Sequence, residues 1–124
     1  MSNIRNADDY TASFWDWSIF NNCFGETTIR MTDVDGMVER KGRFLILETK
    51  KPTAEVPPGQ AIMFDALTSL GAFTVYIVWG NTDKPERLMR WGTGRWRSCS
   101  VTDLVLLVSQ WFDWANRRSS DPFE

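Results

Sequence analysis

The run from Arg43 to Lys50, R-F-L-I-L-E-T-K, constrains this chain most: four consecutive apolar residues closed by Glu48, Thr49 and Lys50. Residues along a strand alternate faces, so Phe44, Ile46, Glu48 and Lys50 share one side. An apolar strand that ends in charge needs a partner for it, because burying unpaired charge is costly. Upstream, Thr27 to Arg40 reads as a first strand, with Ile29 and Met31 leading to Asp33 and Asp35. The same alternation sets these two acids on one face, roughly 7 Å apart. Arg40-Lys41-Gly42 has the composition of a short hairpin loop. Antiparallel pairing would gather three acids and a lysine at one end of a sheet face, where a bound cation would offset the acids. Two plainer readings stand beside this. Asp-x-Asp-Gly is good turn chemistry, although the remaining ligands of an EF-hand loop are missing. Glu48 and Lys50 also make an ordinary sheet-edge pair.

The order of these residues resembles the PD-(D/E)XK nucleases, the superfamily of many restriction enzymes, phage exonucleases and junction resolvases. Asp35 stands for its first acid, Glu48-Thr49-Lys50 for its acid-x-lysine triplet, and Gln60 for the glutamine of the following helix. The resemblance covers residues 29–80, about half the chain, and E-x-K alone is a short signal. The departure is Thr32, where a proline often precedes the first acid; Asp35 is preferred to Asp33 because Gly36 and the hairpin set it nearer Glu48. The resemblance implies a restriction-endonuclease-like core, an α/β (α+β) fold with a mixed sheet flanked by helices. It also implies Asp35, Glu48, Lys50 and Gln60 as catalytic residues. Asp33, Asp35, Glu48 and the Thr49 carbonyl would be ligands of Mg2+ or Mn2+.

The chain has 124 residues, enough for one domain over 1–124 with a core that needs no staples. Hydrophobic residues make up 43% and aromatics 14%, which excludes a disordered chain. A net charge of -2 gives no global basic signature, so nucleic-acid binding must rest on a local patch or on metal. Histidine is absent, which removes Ser-His-Asp triads, Cys-His pairs and most zinc sites. Cys23 and Cys99 are too few for a disulfide scaffold, and no signal peptide or membrane-spanning run is apparent. A reduced, cytoplasmic setting is expected, the host's if the gene is a phage's.

Asp8 to Phe20 is expected to form a helix, with Trp15 and Trp17 packed in the core rather than exposed as platforms for bases. Lys51-Pro52 ends the second strand, and residues 52–58 form a loop. Gly59 to Leu70 is expected to be a helix burying Met63, Ala66, Leu67 and Leu70. Gln60 lies on that stripe one turn earlier, either aimed at the sheet or serving as a first-turn cap. Phe73 to Trp79 is a buried strand, parallel to the second through a right-handed crossover. Glu86–Trp91 and Arg95–Cys99 read as short strands around Gly92-Thr93-Gly94. They carry Arg87, Arg90, Arg95 and Arg97 among Trp91 and Trp96. With Lys51, the arginines Arg90, Arg95 and Arg97 are the candidate nucleic-acid contacts; arginine stems covering tryptophan on a solvated face are the alternative. Ser100 opens the last helix with Asp103 as an acidic capping-box partner. The broad apolar face of that helix, Val101 to Trp114, requires deep burial or a partner, and a homodimer is expected there.

The function these residues imply is metal-dependent hydrolysis of phosphodiester bonds in nucleic acid, DNA being the favoured substrate, in a phage or prokaryotic setting. Two other classes stay open. One is a nuclease-fold protein that binds or regulates without turnover, and the other an assembly protein driven by its tryptophan-rich surfaces.

Overall fold

A computed structural model describes residues 15–118. The chain forms two compact units, Met1–Asp33 and Val34–Glu124. In the first unit the described residues contain one short 3-10 turn, Trp17–Phe20, capped by the Asp16 carboxylate on the Ser18 amide. Of the helix expected over 8–20, residues 8–14 lie outside the described residues, and the remainder is only this turn. Trp15 and Trp17 are 66% and 37% exposed, which corrects the expectation that they pack in a core.

The second unit is an α+β sandwich around a five-stranded mixed sheet in the order β1-β2-β3-β4-β5. The strands are β1 (Gly36–Arg40), β2 (Arg43–Lys50), β3 (Phe73–Asn81), β4 (Lys84–Arg90) and β5 (Trp96–Ser98); the helices are α1 (Pro58–Ser69) and α2 (Val101–Asn116). β1 and β2 pair antiparallel through a two-residue turn in which Lys41 and Gly42 both take positive φ, 52° and 78°. That is the backbone of the hairpin turns whose twist matches the strands. The first strand is shorter than expected: it begins at Gly36, and residues 27–35 are not strand. At its start the Asp35 carboxylate accepts the Thr49 amide of β2, which takes the place of a ladder bond. Short aspartate side chains compete with the backbone in this way, and Thr27 does the same by accepting the Ile29 amide.

α1 opens with Pro57 in extended conformation and Pro58 in the first turn, where a missing N–H costs nothing. It ends at Leu70 and Gly71, the latter at φ 80°. The helix carries the chain from β2 to β3, which pair parallel from Phe44↔Phe73 to Lys50↔Trp79, as parallel strands require. Its inward residue is Phe64, fully buried among Ile46, Val75, Ile77 and Trp79. The expected stripe was misplaced: Met63 and Leu67 pack at its edge, while Ala66 and Leu70 are exposed. Strand alternation sends the other set inward on the opposite face. There Val78 and Leu88 pack with Leu107, and Leu45 packs with Trp111 and Ala115 of α2. One helix therefore covers each face. α2 starts with the expected box, Ser100 accepting the Asp103 amide and Asp103 accepting the Ser100 amide.

β3 turns into β4 through Thr82 and Asp83, with a register shift between Trp79 and Gly80. Gly80 sits at φ 140°, and a Cβ there would lie 2.5 Å from the Lys84 carbonyl, so only glycine fits this bulge. Phe64 is the keystone of the α1 layer. Phe64→Ala is expected to destabilise the fold by about 3–5 kcal/mol, measured by urea unfolding, whereas Leu70→Ala, at an exposed site, is expected to cost under about 0.5 kcal/mol.

Candidate active site

The α1 face of the sheet carries a buried charge. Glu48 is only 3% exposed and is the one charged side chain buried among the described residues. The apolar run that precedes it forces this: with Ile46 in the core, alternation sends Glu48 to the same side. Gln60, in the first turn of α1 and one turn before Phe64, reaches back to the strand. Its Nε2 donates to Glu48 Oε1 at 3.1 Å, and its Oε1 accepts from Lys50 Nζ at 2.5 Å. Gln60 therefore bridges acid and lysine, and no side chain caps the helix. Lys50 Nζ also lies 3.9 Å from Glu48 Oε1. The second carboxylate oxygen, Oε2, is buried with no hydrogen-bond partner among the described residues. Burial, and next the charge of Asp35, raise the Glu48 pKa above its ordinary value; Lys50 and Gln60 offset this only in part.

Asp35 precedes Gly36, which pairs with Leu47, so continuing the register sets Asp35 opposite Glu48. Its Oδ2 accepts from the Thr49 amide at 2.9 Å and the Thr49 hydroxyl at 3.0 Å. Thr49, expected to offer its carbonyl, is thus engaged with Asp35 through its donors. Asp33 belongs to the first unit, where its carboxylate accepts from the Trp17 indole at 2.6 Å. No group of three or more His, Cys, Asp or Glu side chains able to hold a metal occurs among the described residues. What the strand presents is a pair of acids, one with an unsatisfied buried oxygen. That donor set suits a small hard cation, since magnesium uses one or two carboxylates and fills its other positions with water and phosphate oxygens.

The sheet separates the expected basic cluster by parity. Arg87 pairs with Trp79 and with Ser98, and Met89 with Trp96, on the α1 face. The Arg87 guanidinium lies 4.2 Å from the Trp79 ring and 5.4 Å from that of Trp96. Because Lys50 pairs with Trp79, a row runs across this face from Lys50 through Trp79 and Arg87 to Trp96. Trp96 is 60% exposed. Trp79 is buried, its indole donating to the Ala54 carbonyl at 2.7 Å, which ties down the loop after β2. Arg90 pairs with Tyr76 and Arg97 with Leu88, so both lie on the α2 face, away from Glu48. Arg95 sits in the turn before β5, its amide on the Thr93 hydroxyl. Lys51 is exposed beside a cleft of about 450 Å3 with Asn81, Thr82 and Pro85. Arg87 was the arginine the candidate set missed: a plain two-residue turn at Thr82-Asp83 would set Glu86 opposite Trp79, and only the register shift between Trp79 and Gly80 brings Arg87 there.

Set against known proteins, the chain matches no family model, no curated protein and no solved structure.

Because folded Glu48 holds its proton more tightly than unfolded Glu48, this contribution to stability is present below 4.5 and lost as pH rises through the raised folded value. The melting temperature of Glu48→Gln, relative to the unsubstituted chain in EDTA, is therefore expected to climb with pH over that window and then level off. Thermal melts from about pH 4 to about pH 8 read this directly. Parallel curves would show that Glu48 carries no raised pKa.

Proposed function

We propose that the chain is a metal-dependent nuclease hydrolysing phosphodiester bonds of nucleic acid, with DNA the favoured substrate, built on a restriction-endonuclease-like core. The observation that carries this reading is the buried Glu48–Gln60–Lys50 network with its unsatisfied carboxylate oxygen. Plain structural pairing would leave no such orphan, since buried carboxylates ordinarily fill their acceptor sites. Asp35 and Glu48 would hold Mg2+ or Mn2+. A cation bound there supplies Lewis acidity and neutralises charge on the reacting phosphate.

The chain's own residues do the rest. Lys50, held by Gln60, sets a fixed positive charge beside the acids, where it orients the attacking water and offsets charge on a non-bridging oxygen. Gln60 fixes Glu48 and Lys50 at once, so neither must reorganise when substrate arrives. Arg87 and Trp96, on the same face, provide a phosphate contact and a stacking surface for a strand crossing from the acids toward β5. Arg95 and Lys51 serve as outlying contacts. A homodimer through α2 belongs to the same proposal; its surface would be Val101, Val105 and Phe112, all exposed. No helix among the described residues is long and apolar enough to cross a membrane.

A second reading has one observation in its favour. Asp35 is committed to Thr49, and no third carboxylate joins the pair among the described residues. A nuclease-fold protein that binds nucleic acid without cleaving it would look the same. Incubation with plasmid, linear and single-stranded DNA and with RNA, in Mg2+ or Mn2+, separates the two. Glu48→Gln and Lys50→Ala are expected to lower cleavage by about 10²–10⁴-fold while both variants still melt cooperatively, and Gln60→Ala by about 10–100-fold. EDTA is expected to abolish it. Cleavage undiminished in Glu48→Gln would sink the nuclease reading, and binding without cleavage of any substrate would establish the second.

A further inference from the structure

The α2 face of the sheet holds a cleft of about 330 Å3 that the proposed active site does not use. Its floor is Thr74 and Tyr76 of β3, one wall is Arg90 and Arg97, and the other is Gln110, Trp111 and Trp114 of α2. Arg90 and Arg97 are diagonal neighbours on β4 and β5. Neither makes a salt bridge or a side-chain hydrogen bond among the described residues, and no acidic side chain lines the cleft. Trp114 is held by Arg43, stacked 3.7 Å from its ring and donating to its carbonyl. Trp111 is 7% exposed, and its indole N–H has no acceptor among the described residues. The lining therefore has a surplus of donors over acceptors, two fixed positive charges on one wall, and aromatic surface on the floor and the other wall.

Such a lining selects its ligand by chemistry. Two guanidiniums side by side match a phosphate dianion, which accepts from both forks. A tyrosine floor and a tryptophan wall match a planar ring, through stacking that tolerates any base. The volume lies at the small end of the range for small-molecule sites, about 300–1,000 Å3, enough for one nucleotide and too little for two. We infer that this cleft is a binding pocket for a single 5′-phosphorylated nucleotide, either free or at the end of a strand, with Arg90 and Arg97 on the phosphate and Trp114 and Tyr76 beside the base. The pocket lies on the opposite face from Glu48 and needs no metal, so it stands or falls apart from the nuclease reading.

The test is titration of the intact protein in EDTA, followed by tryptophan fluorescence and calorimetry. The probes are dAMP, adenosine, inorganic phosphate, and a short oligonucleotide with either a 5′-phosphate or a 5′-hydroxyl. Saturable binding is expected from dAMP or from the 5′-phosphorylated oligonucleotide, at least tenfold tighter than from adenosine, inorganic phosphate or the 5′-hydroxyl strand. Tight dAMP binding identifies a free nucleotide as the ligand, and binding confined to the phosphorylated strand identifies a strand end. Arg90→Gln and Arg97→Gln, both at exposed positions, are each expected to weaken the interaction tenfold or more with unchanged melting. The pocket is overturned by any of three results: neither phosphorylated probe saturates at millimolar concentration, inorganic phosphate binds as tightly as dAMP, or the double variant binds like the unsubstituted chain.

Discussion

The arrangement of the α1 layer depends on one buried carboxylate. Glu48 reaches its position because the strand before it must bury Ile46 on the same face, and a strand cannot turn one residue out without turning all of them. A charge so placed is costly unless it is met. It is met by a glutamine delivered from the first turn of α1 and by the lysine two residues on. Phe64, one helical turn after Gln60, anchors that same helix in the core. Packing and polar contact thus fix α1 together, one through the hydrophobic seam and the other through the amide bridge. The unsatisfied Oε2 is what the bridge leaves over. A fold selected for stability alone would replace such a group with an apolar one, which is often neutral or stabilising.

The legible parts of this structure are those decided by neighbours in sequence. β2 from Arg43 to Lys50, the turn at Lys41-Gly42, the capping box at Ser100 and Asp103, and the strand at Phe73 each follow from local pattern. For Gln60 the pattern left two readings, a first-turn cap or an approach to the sheet, and the contacts with Glu48 and Lys50 are those of the second. The rest depended on contacts that the pattern does not encode. Thr27 to Asp35 carries the alternation of a strand, yet Thr27 and Asp35 turn their own oxygens on the backbone. Trp15 and Trp17 have the composition of a core and remain exposed. Phe64 was passed over in favour of Leu70, although only the former lies a single turn from Gln60 on the sheet side.

The arginine-tryptophan segment shows how much a single register decides. As a string, Arg87 to Arg97 is one basic aromatic cluster, and it reads as one surface. Folded, it divides into two chemistries. Arg87 and Trp96 join the acid-lysine face, while Arg90 and Arg97 join Tyr76 and the tryptophans of α2. β3 is the spine common to both: Ile77 and Trp79 serve one layer, Tyr76 and Val78 the other.

What holds that division in place is the bulge at Gly80. The register of β4 against β3 shifts between Trp79 and Gly80, and the approach of Lys84, Pro85 and Glu86 leaves no room for a side chain there. Without the extra residue, β4 would slide by one position and every side chain on it would change face. Arg87 would leave the row that begins at Lys50, and Arg90 would no longer face Tyr76. A single glycine therefore decides which face the arginines of β4 join, and the two faces keep distinct chemistry because one backbone position admits no Cβ.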